Sequence, residues 1–238
     1  MRLSRIVCAC LVALAVPAAA QFPTPNPSVN PPIPVVTFNC LWDAATPQSY
    51  TITVRSTGTA RYVSSNPVRP AENREADPQY TLDFVLPEAT SKKVFNLAKQ
   101  AGYFNGDFDY KKHAVAFTGT KTLSYADVAH NYQTTYNWSD DTAIDQLTRL
   151  FSGISSTIEH GRKLTFLRRF DKLGLEAELK AMESEAQSGF LAELQIIAPT
   201  LENIANDPAV LHIAQVRAQR LLELSRQESA SGEVKARQ

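Results

Sequence analysis

Residues 80–102 read YTLDFVLPEATSKKVFNLAKQAG, and this stretch carries two hydrophobic periods in succession. From Tyr80 to Leu86 large apolar side chains recur at every second residue, the period of a strand with one buried face. After Pro87 they recur at helical spacing up to Gly102, and proline in the first turn of a helix removes no hydrogen bond. The stretch therefore predicts one strand followed directly by one helix.

The segments on either side carry the signature of hairpins, in which two alternating runs flank a turn. Residues 50–63 alternate around a turn at Gly58, and residues 115–125 do so around a turn at Gly119. A further strand is predicted over residues 132–136. Because a hairpin joins antiparallel strands, the predicted fold class is α+β, an antiparallel sheet with one or two packed helices.

The predicted sheet domain covers residues 37–160 and closes with a helix that begins after Ser139 and ends at Gly161. Only helical periodicity follows, which predicts an all-helical C-terminal region over residues 161–224. Residues 225–238 are polar and lack an apolar face, which predicts a disordered tail. Within the helical region we expect helix boundaries at Gly174, Gly189 and Asp207-Pro208, and a break or kink at Pro199.

The first residues have the three-part organisation of a cleavable secretory signal. Two arginines precede an uncharged apolar run over residues 6–16, and small residues follow up to Ala20. This run reaches only about 16 Å as a helix, against a hydrocarbon core of about 30 Å, so no transmembrane span is predicted. We therefore predict a signal peptide over residues 1–20, cleavage near Ala20 and Gln21, and export to the periplasm or the exterior. The alternative is an uncleaved interfacial anchor.

A proline-rich linker is predicted over residues 21–36. Its six prolines remove the backbone donors that a helix or a sheet ladder needs. An extended polyproline II spacer between the signal and the folded body is the preferred interpretation, and a ligand for a proline-recognising domain is the alternative.

The composition narrows the classes of partner and cofactor. The chain has 24 basic and 24 acidic residues, and this balance predicts no nucleic-acid partner. Cys8 and Cys10 leave with the predicted signal peptide, so the mature chain keeps only Cys40, whose apolar neighbours predict burial. The sequence contains no HExxH, CxxC, Gly-x-Ser-x-Gly or glycine-rich phosphate loop, and we predict no metal and no cofactor.

One loop holds a candidate catalytic pair. Asp127 and His130 are spaced to interact, which suits a histidine of raised basicity acting as a general base. An ordinary surface pair is the alternative. The aromatic residues Tyr132 and Trp138 are candidate binding residues, or else side chains of the sheet.

A second loop, residues 103–112, mixes aromatic side chains with Asp107 and Asp109. The acidic residues alternate as in a calcium loop, but the glycine stands at the wrong offset and the closing glutamate is missing. We keep both carboxylates as candidate binding residues. Their alternative role is to face water where the chain leaves a helix.

Five basic residues lie close together around Phe166 and Phe170. Such an amphipathic cationic helix lies on an anionic membrane or docks on an acidic partner. The preferred interpretation is a solvated basic side opposite a packed apolar stripe. The basic residues are Arg162, Lys163, Arg168, Arg169 and Lys172, and the expected stripe is Leu164, Leu167, Phe170 and Leu173.

The order of elements resembles exported bacterial proteins of unknown function that contain a small α+β domain. The resemblance rests on the hairpin at Gly58, the strand over 80–86, the helix ending in residues 101–104 (AGYF) and the hairpin at Gly119. It covers about residues 37–160, and its motifs are structural and not catalytic. It implies an α+β domain and no specific activity.

These features predict an exported soluble protein that binds without catalysis, with the helical region as its interaction part. A protein or an envelope component is the expected partner, and the oligomeric state is left open. The alternative is a small hydrolase that uses Asp127 and His130 with an acid such as Asp107 or Asp109. An exposed apolar patch on the helical region would favour binding. Convergence of the three groups in a pocket would favour catalysis.

Overall fold

The computed structural model describes residues 33–65 and 79–236, with side chains up to residue 227. The predicted signal peptide, its cleavage position and nearly all of the predicted linker lie outside these residues. The described residues all belong to one compact unit. None of the helices within these ranges is both long and apolar enough to cross a membrane.

In the described part of the chain, six antiparallel strands form a sheet in the order β4-β3-β2-β1-β5-β6. Together with the helices packed on it and those that follow, this sheet makes an α+β fold, which confirms the predicted class. The strands are β1 Val35–Leu41, β2 Ser49–Arg55, β3 Thr59–Ser65, β4 Tyr80–Val85, β5 Thr120–Ala126 and β6 Asn131–Tyr136.

The central strand, β1, was not recognised in the sequence. It pairs with both β2 and β5, and its alternate residues Val36, Phe38 and Cys40 are buried. The predicted linker extended to residue 36, whereas regular structure begins at Val35. Prolines dominate the composition up to this point, but the last of them precedes the strand, where it blocks no ladder hydrogen bond.

The two faces of the sheet differ in chemistry. One face packs under the first two helices of the chain, and the ring of Phe38 stacks on that of Phe151 with centroids 5.2 Å apart. The opposite face carries polar cross-strand pairs, which is the pattern of a sheet with one buried face. These pairs are Asn39–Thr51, Arg61–Asp83 and Thr122–Thr135.

Five α-helices complete the described structure. They are α1 Glu88–Gln100, α2 Thr142–Phe170, α3 Gly174–Gln187, α4 Ala198–Ala205 and α5 His212–Ala236. Short 3₁₀ turns occur at Gly102–Phe104 and Leu194–Ile197. The predicted helix after Pro87 is confirmed as α1. Asp141 begins α2, because its carboxylate accepts the amides of Ala143 and Ile144 at 2.9 and 3.0 Å.

Helix α2 is a single helix of 29 residues where the sequence predicted two. The predicted boundary between sheet domain and helical region therefore falls inside it. The sequence predicts a helix end at Gly161, but a Cβ atom at this position would overlap the Cγ2 atom of Ile197. The glycine permits close packing between α2 and the chain before α4, and it does not terminate the helix.

The second predicted hairpin is wrong. Residues 111–119 form no strand, and Val115 and Phe117 are exposed. Strand β5 pairs instead with β1 and with β6, and the turn of the real hairpin covers residues 127–130. Gly119 has φ +96°, and a Cβ atom there would lie 2.7 Å from the Cβ atom of Trp42, so it is a close-contact glycine outside any hairpin turn.

The predicted break at Pro199 is present, because a 3₁₀ turn ends at Ile197 and α4 begins at Ala198 with Pro199 in its first turn. Two other predictions within the C-terminal helices need correction. Helix α5 begins at His212, because Asp207 forms a turn in which its carboxylate accepts the amide of Ala209 at 3.0 Å. The segment predicted as a disordered tail is helical from residue 225 through Ala236, since it continues a helix already held by tertiary packing.

Candidate functional site

The predicted pair of Asp127 and His130 is present in the turn between β5 and β6. The Asp127 carboxylate accepts the amides of Ala129 and His130, both at 2.7 Å, and lies 3.1 Å from the His130 Nδ1 atom. The hydroxyl of Tyr125 donates to the same carboxylate at 2.9 Å. The turn therefore holds one carboxylate at the centre of several donors.

These donors decide the ionisation of the carboxylate. Burial by itself would raise the pKa of Asp127, but the amides of His130 and Ala129, the His130 ring and the Tyr125 hydroxyl lower that pKa to about 2. Burial, followed by the hydrogen bond to Asp127, raises the pKa of Tyr125 to about 12. At neutral pH the site thus contains an ionised Asp127 and a protonated Tyr125.

Tyr103 covers this pair and was not singled out from the sequence. Its ring stacks on the His130 ring with centroids 4.0 Å apart, while Tyr132 lies 6.2 Å from the same ring and is partly exposed. Tyr103 and Phe104 have φ values of +58° and +69°, unusual for residues other than glycine. The predicted helix end at residues 101–104 was the only signal that the chain reverses here.

Asp107, Asp109 and Trp138 lie around the other end of the β5–β6 hairpin. The Asp109 carboxylate accepts the amide of Asn137 at 2.9 Å, and Asp107 pairs with Lys111. The first and last residue pairs of the hairpin are five positions apart, which is about 17 Å along a strand. This length separates Asp107 and Asp109 from the turn that holds Asp127. The Trp138 ring contacts the Tyr110 ring edge-on, with centroids 4.6 Å apart.

The geometry therefore supplies part of a catalytic arrangement. A histidine whose Nδ1 faces a partly buried carboxylate presents its other nitrogen to a substrate, as a general base requires. Within the described ranges the His130 ring hydrogen-bonds only to Asp127, and no third acid or nucleophile is attached. Those ranges also contain no group of three side chains able to hold a metal ion. The hydrolase remains a prediction.

Cys40 is buried, as predicted from its apolar neighbours. Burial raises the pKa of its thiol, which opposes formation of the thiolate, although the nearby charge of Lys121 acts in the other direction. Lys121 is itself nearly buried, and its ammonium group donates to the carbonyls of Thr118, Gly119 and Asn137. The thiol is therefore a core side chain.

A polar network that the sequence did not reveal joins α2 to the sheet and to α3. The Glu159 carboxylate accepts the hydroxyls of Tyr62 at 2.8 Å and Ser64 at 2.7 Å. At the next residue, the His160 ring nitrogens lie 2.7 Å from Glu178 and 3.1 Å from Glu185. The two glutamates are seven residues apart, on one side of a helix, and this spacing was the only available signal.

The C-terminal half of α2 presents a different kind of surface. Leu164 and Leu167 are buried in the helical core, as predicted, but Phe170 and Leu173 are not in that packed stripe. They are exposed together with Phe166, and basic side chains adjoin them. We call this surface the aromatic–basic face, and it consists of Arg162, Lys163, Phe166, Arg169, Phe170 and Leu173.

Contacts within the aromatic–basic face hold its side chains together. The rings of Phe166 and Phe170 lie one helical turn apart, with centroids 4.9 Å from each other. The Arg169 guanidinium lies 5.0 Å from the centroid of the Phe170 ring, within the range of a cation–π contact. Lys163 pairs with Glu178 at 2.5 Å. Phe166, Arg169 and Phe170 thus form one contiguous group on this face.

Comparison with known proteins adds no assignment to these sites. No protein-family model matches the sequence, and none of the curated proteins compared with it is recognisably similar.

Proposed function

We propose that this chain is an exported binding protein that attaches to an anionic phospholipid surface of the cell envelope through the aromatic–basic face. The observation that carries the proposal is the exposure of three large apolar side chains. Phe166, Phe170 and Leu173 are 58%, 64% and 73% exposed, although Leu164 and Leu167, on the same helix as the two phenylalanines, are buried. Clustered exposed apolar side chains rimmed by polar ones are typical of interaction sites.

The charge around these side chains favours an anionic partner. Residues 162–172 contain five basic residues and one acidic residue, Asp171. Arg162, Lys163, Arg168 and Lys172 are paired with Glu159, Glu178 and Asp207. Arg169 has no acidic partner among the described residues, and its guanidinium lies 5.0 Å from the centroid of the Phe170 ring. Aromatic rings flanked by basic side chains suit the boundary between lipid headgroups and acyl chains.

The expected contributions are similar in size. Burying one phenylalanine side chain contributes about 1.5–3 kcal/mol, and each basic residue near an anionic membrane contributes about 1 kcal/mol. Two phenylalanines therefore carry a large share of the binding free energy, and the basic residues make binding depend on lipid charge. Export is supported by the N-terminal sequence, which lies outside the described residues.

Vesicle binding tests this proposal. We expect the purified protein to sediment with phosphatidylcholine vesicles that contain phosphatidylglycerol, and much less with phosphatidylcholine alone. The double variant Phe166→Ser/Phe170→Ser should bind the anionic vesicles at least about tenfold more weakly, because it loses the apolar side chains that enter the interface.

Phe117→Ser provides the matched control, since Phe117 is 62% exposed but lies on the loop before β5. This variant should bind like the wild type. Equal loss in Phe117→Ser, or no preference for anionic vesicles, would contradict the proposal. Binding to an acidic protein without any vesicle binding would assign the face to a protein partner instead.

A further inference from the structure

We infer that the groove between α2 and α4 binds a phosphate monoester group. This α2–α4 groove has a volume of about 480 Å³, within the range of small-ligand sites. It is a second feature beside the aromatic–basic face, and the inference does not depend on membrane attachment. Its lining residues are Thr165, Arg168, Arg169, Lys172, Thr200, Asn203 and Asp207.

The charges in the groove match a phosphate monoester. Three of its lining residues are cationic and one, Asp207, is acidic, which leaves a formal excess of two positive charges. A phosphate monoester carries a charge of about −1.5 to −2 at pH 7. The charge of a phosphate monoester therefore neutralises almost all of the excess positive charge of the groove, whereas a single carboxylate would neutralise only part of that charge.

Asp207 holds two of the cations in place. Its carboxylate accepts hydrogen bonds from the Nε atom of Arg168 at 3.3 Å and from the Nζ atom of Lys172 at 3.1 Å. It also accepts a hydrogen bond from the backbone amide of Ala209. Arg168 bonds to Asp207 through Nε, and its terminal amino groups have no acceptor among the described residues. A guanidinium fixed by one bond keeps its remaining donors for a planar or tetrahedral anion.

Neutral donors lie on the opposite wall. Thr200 and Asn203 belong to α4, and the described structure gives their side chains no hydrogen-bond partner. A hydroxyl and an amide facing fixed cations complete the donor set that proteins use for phosphate oxygens. The Thr165 hydroxyl donates to the carbonyl of Gly161 at 2.9 Å, so it accepts rather than donates within the groove.

The position of the groove allows two sources of the phosphate. Successive residues of an α-helix are about 100° apart around its axis. Arg169 therefore lies between the side that carries Phe166 and the side that carries Arg168. A lipid headgroup with a terminal phosphate and a soluble phosphate ester would present the same chemistry to these residues.

Titration with defined probes tests the inference. Glycerol 3-phosphate and inorganic phosphate are titrated against the purified protein by calorimetry, at an ionic strength held constant with chloride. In parallel, binding to phosphatidic acid vesicles, whose headgroup is a phosphate monoester, is compared with binding to phosphatidylglycerol vesicles of equal surface charge. Saturable binding of glycerol 3-phosphate identifies a soluble ester. A preference for phosphatidic acid alone identifies the lipid headgroup.

The variant Arg169→Gln/Lys172→Gln should weaken either kind of binding about tenfold or more, because each change removes a charge-assisted hydrogen bond. Arg149→Gln/Lys180→Gln is the matched control, since it removes two exposed cations elsewhere on α2 and α3. Equal weakening in the control overturns the inference. So does the absence of both saturable phosphate binding and a phosphatidic acid preference. In that case retained binding to phosphatidylglycerol vesicles would leave the proposed function standing.

Discussion

At the scale of single residues, the turn at Asp127 shows how local donors control a carboxylate. The Asp127 carboxylate accepts hydrogen bonds from four donors, which are two amides of the turn, one imidazole and one hydroxyl. The sequence predicted the interaction of Asp127 with His130, because a spacing of three residues in a tight turn brings side chains together. It gave no indication that Tyr103 would cover the histidine, since that contact depends on the backbone reversal after α1.

The pKa of Asp127 leads to a prediction about pH. The folded-state pKa of about 2 lies below the ordinary value of 3.8, so the stabilisation it provides is present above about pH 4. It is lost as the pH falls through about 2. We expect a carboxyl titration by NMR with a midpoint near 2, and a melting temperature of Asp127→Asn that approaches the wild-type value as the pH decreases from 4.

Asp43→Asn serves as the control, because Asp43 is exposed in the turn after β1. Its melting temperature should follow that of the wild type at every pH. A carboxyl of Asp127 that titrates near 4 would contradict the hydrogen-bonded geometry of the turn.

At the scale of elements, α2 connects the two hydrophobic clusters of the structure. Its first half contributes Phe151 and Ile154 to the cluster under the sheet, and its second half contributes Leu164 and Leu167 to the cluster among the helices. Glycine is a local sequence signal of a helix end, and the sequence therefore predicts that a helix ends at Gly161. Its real role is set by Ile197, a residue far away in the chain.

The change Gly161→Ala tests this explanation. In a helix interior it normally stabilises by about 0.5–1 kcal/mol, but here the new methyl group meets Ile197, and overpacking costs about 1–3 kcal/mol. We expect a lower free energy of unfolding, measured by urea denaturation. In the Ile197→Ala background, where the overlapping methyl group is gone, the same change should become neutral or stabilising. Stabilisation of equal size in both backgrounds would contradict the close packing.

At the scale of the whole molecule, the sheet and the helical region share α2, and Ile196 packs against both hydrophobic clusters. We therefore expect one cooperative unfolding transition. Both tryptophans, Trp42 and Trp138, lie beside strands, so their fluorescence reports on the sheet, while circular dichroism reports mainly on the helices.

Leu201→Ala, a change in the helical cluster, should lower the unfolding free energy by about 2–5 kcal/mol. The fluorescence and circular dichroism transitions should shift together. Leu211→Ala is the control, because Leu211 is 48% exposed and its truncation leaves no comparable cavity. Loss of helix before any change in tryptophan fluorescence would show that the two parts unfold independently.

The sequence by itself determined the α+β class, the β2–β3 hairpin, the strand β4 with the helix α1 after it, and the basic character of α2. These features depend on hydrophobic period, turn residues and capping, which act between near neighbours in the chain. Tertiary structure alone decided that Val35 begins the central strand, that Gly161 lies inside α2, and that Phe170 and Leu173 face outward. Each of these depends on which distant residues cover a given side chain, and hydrophobic periodicity does not contain that information.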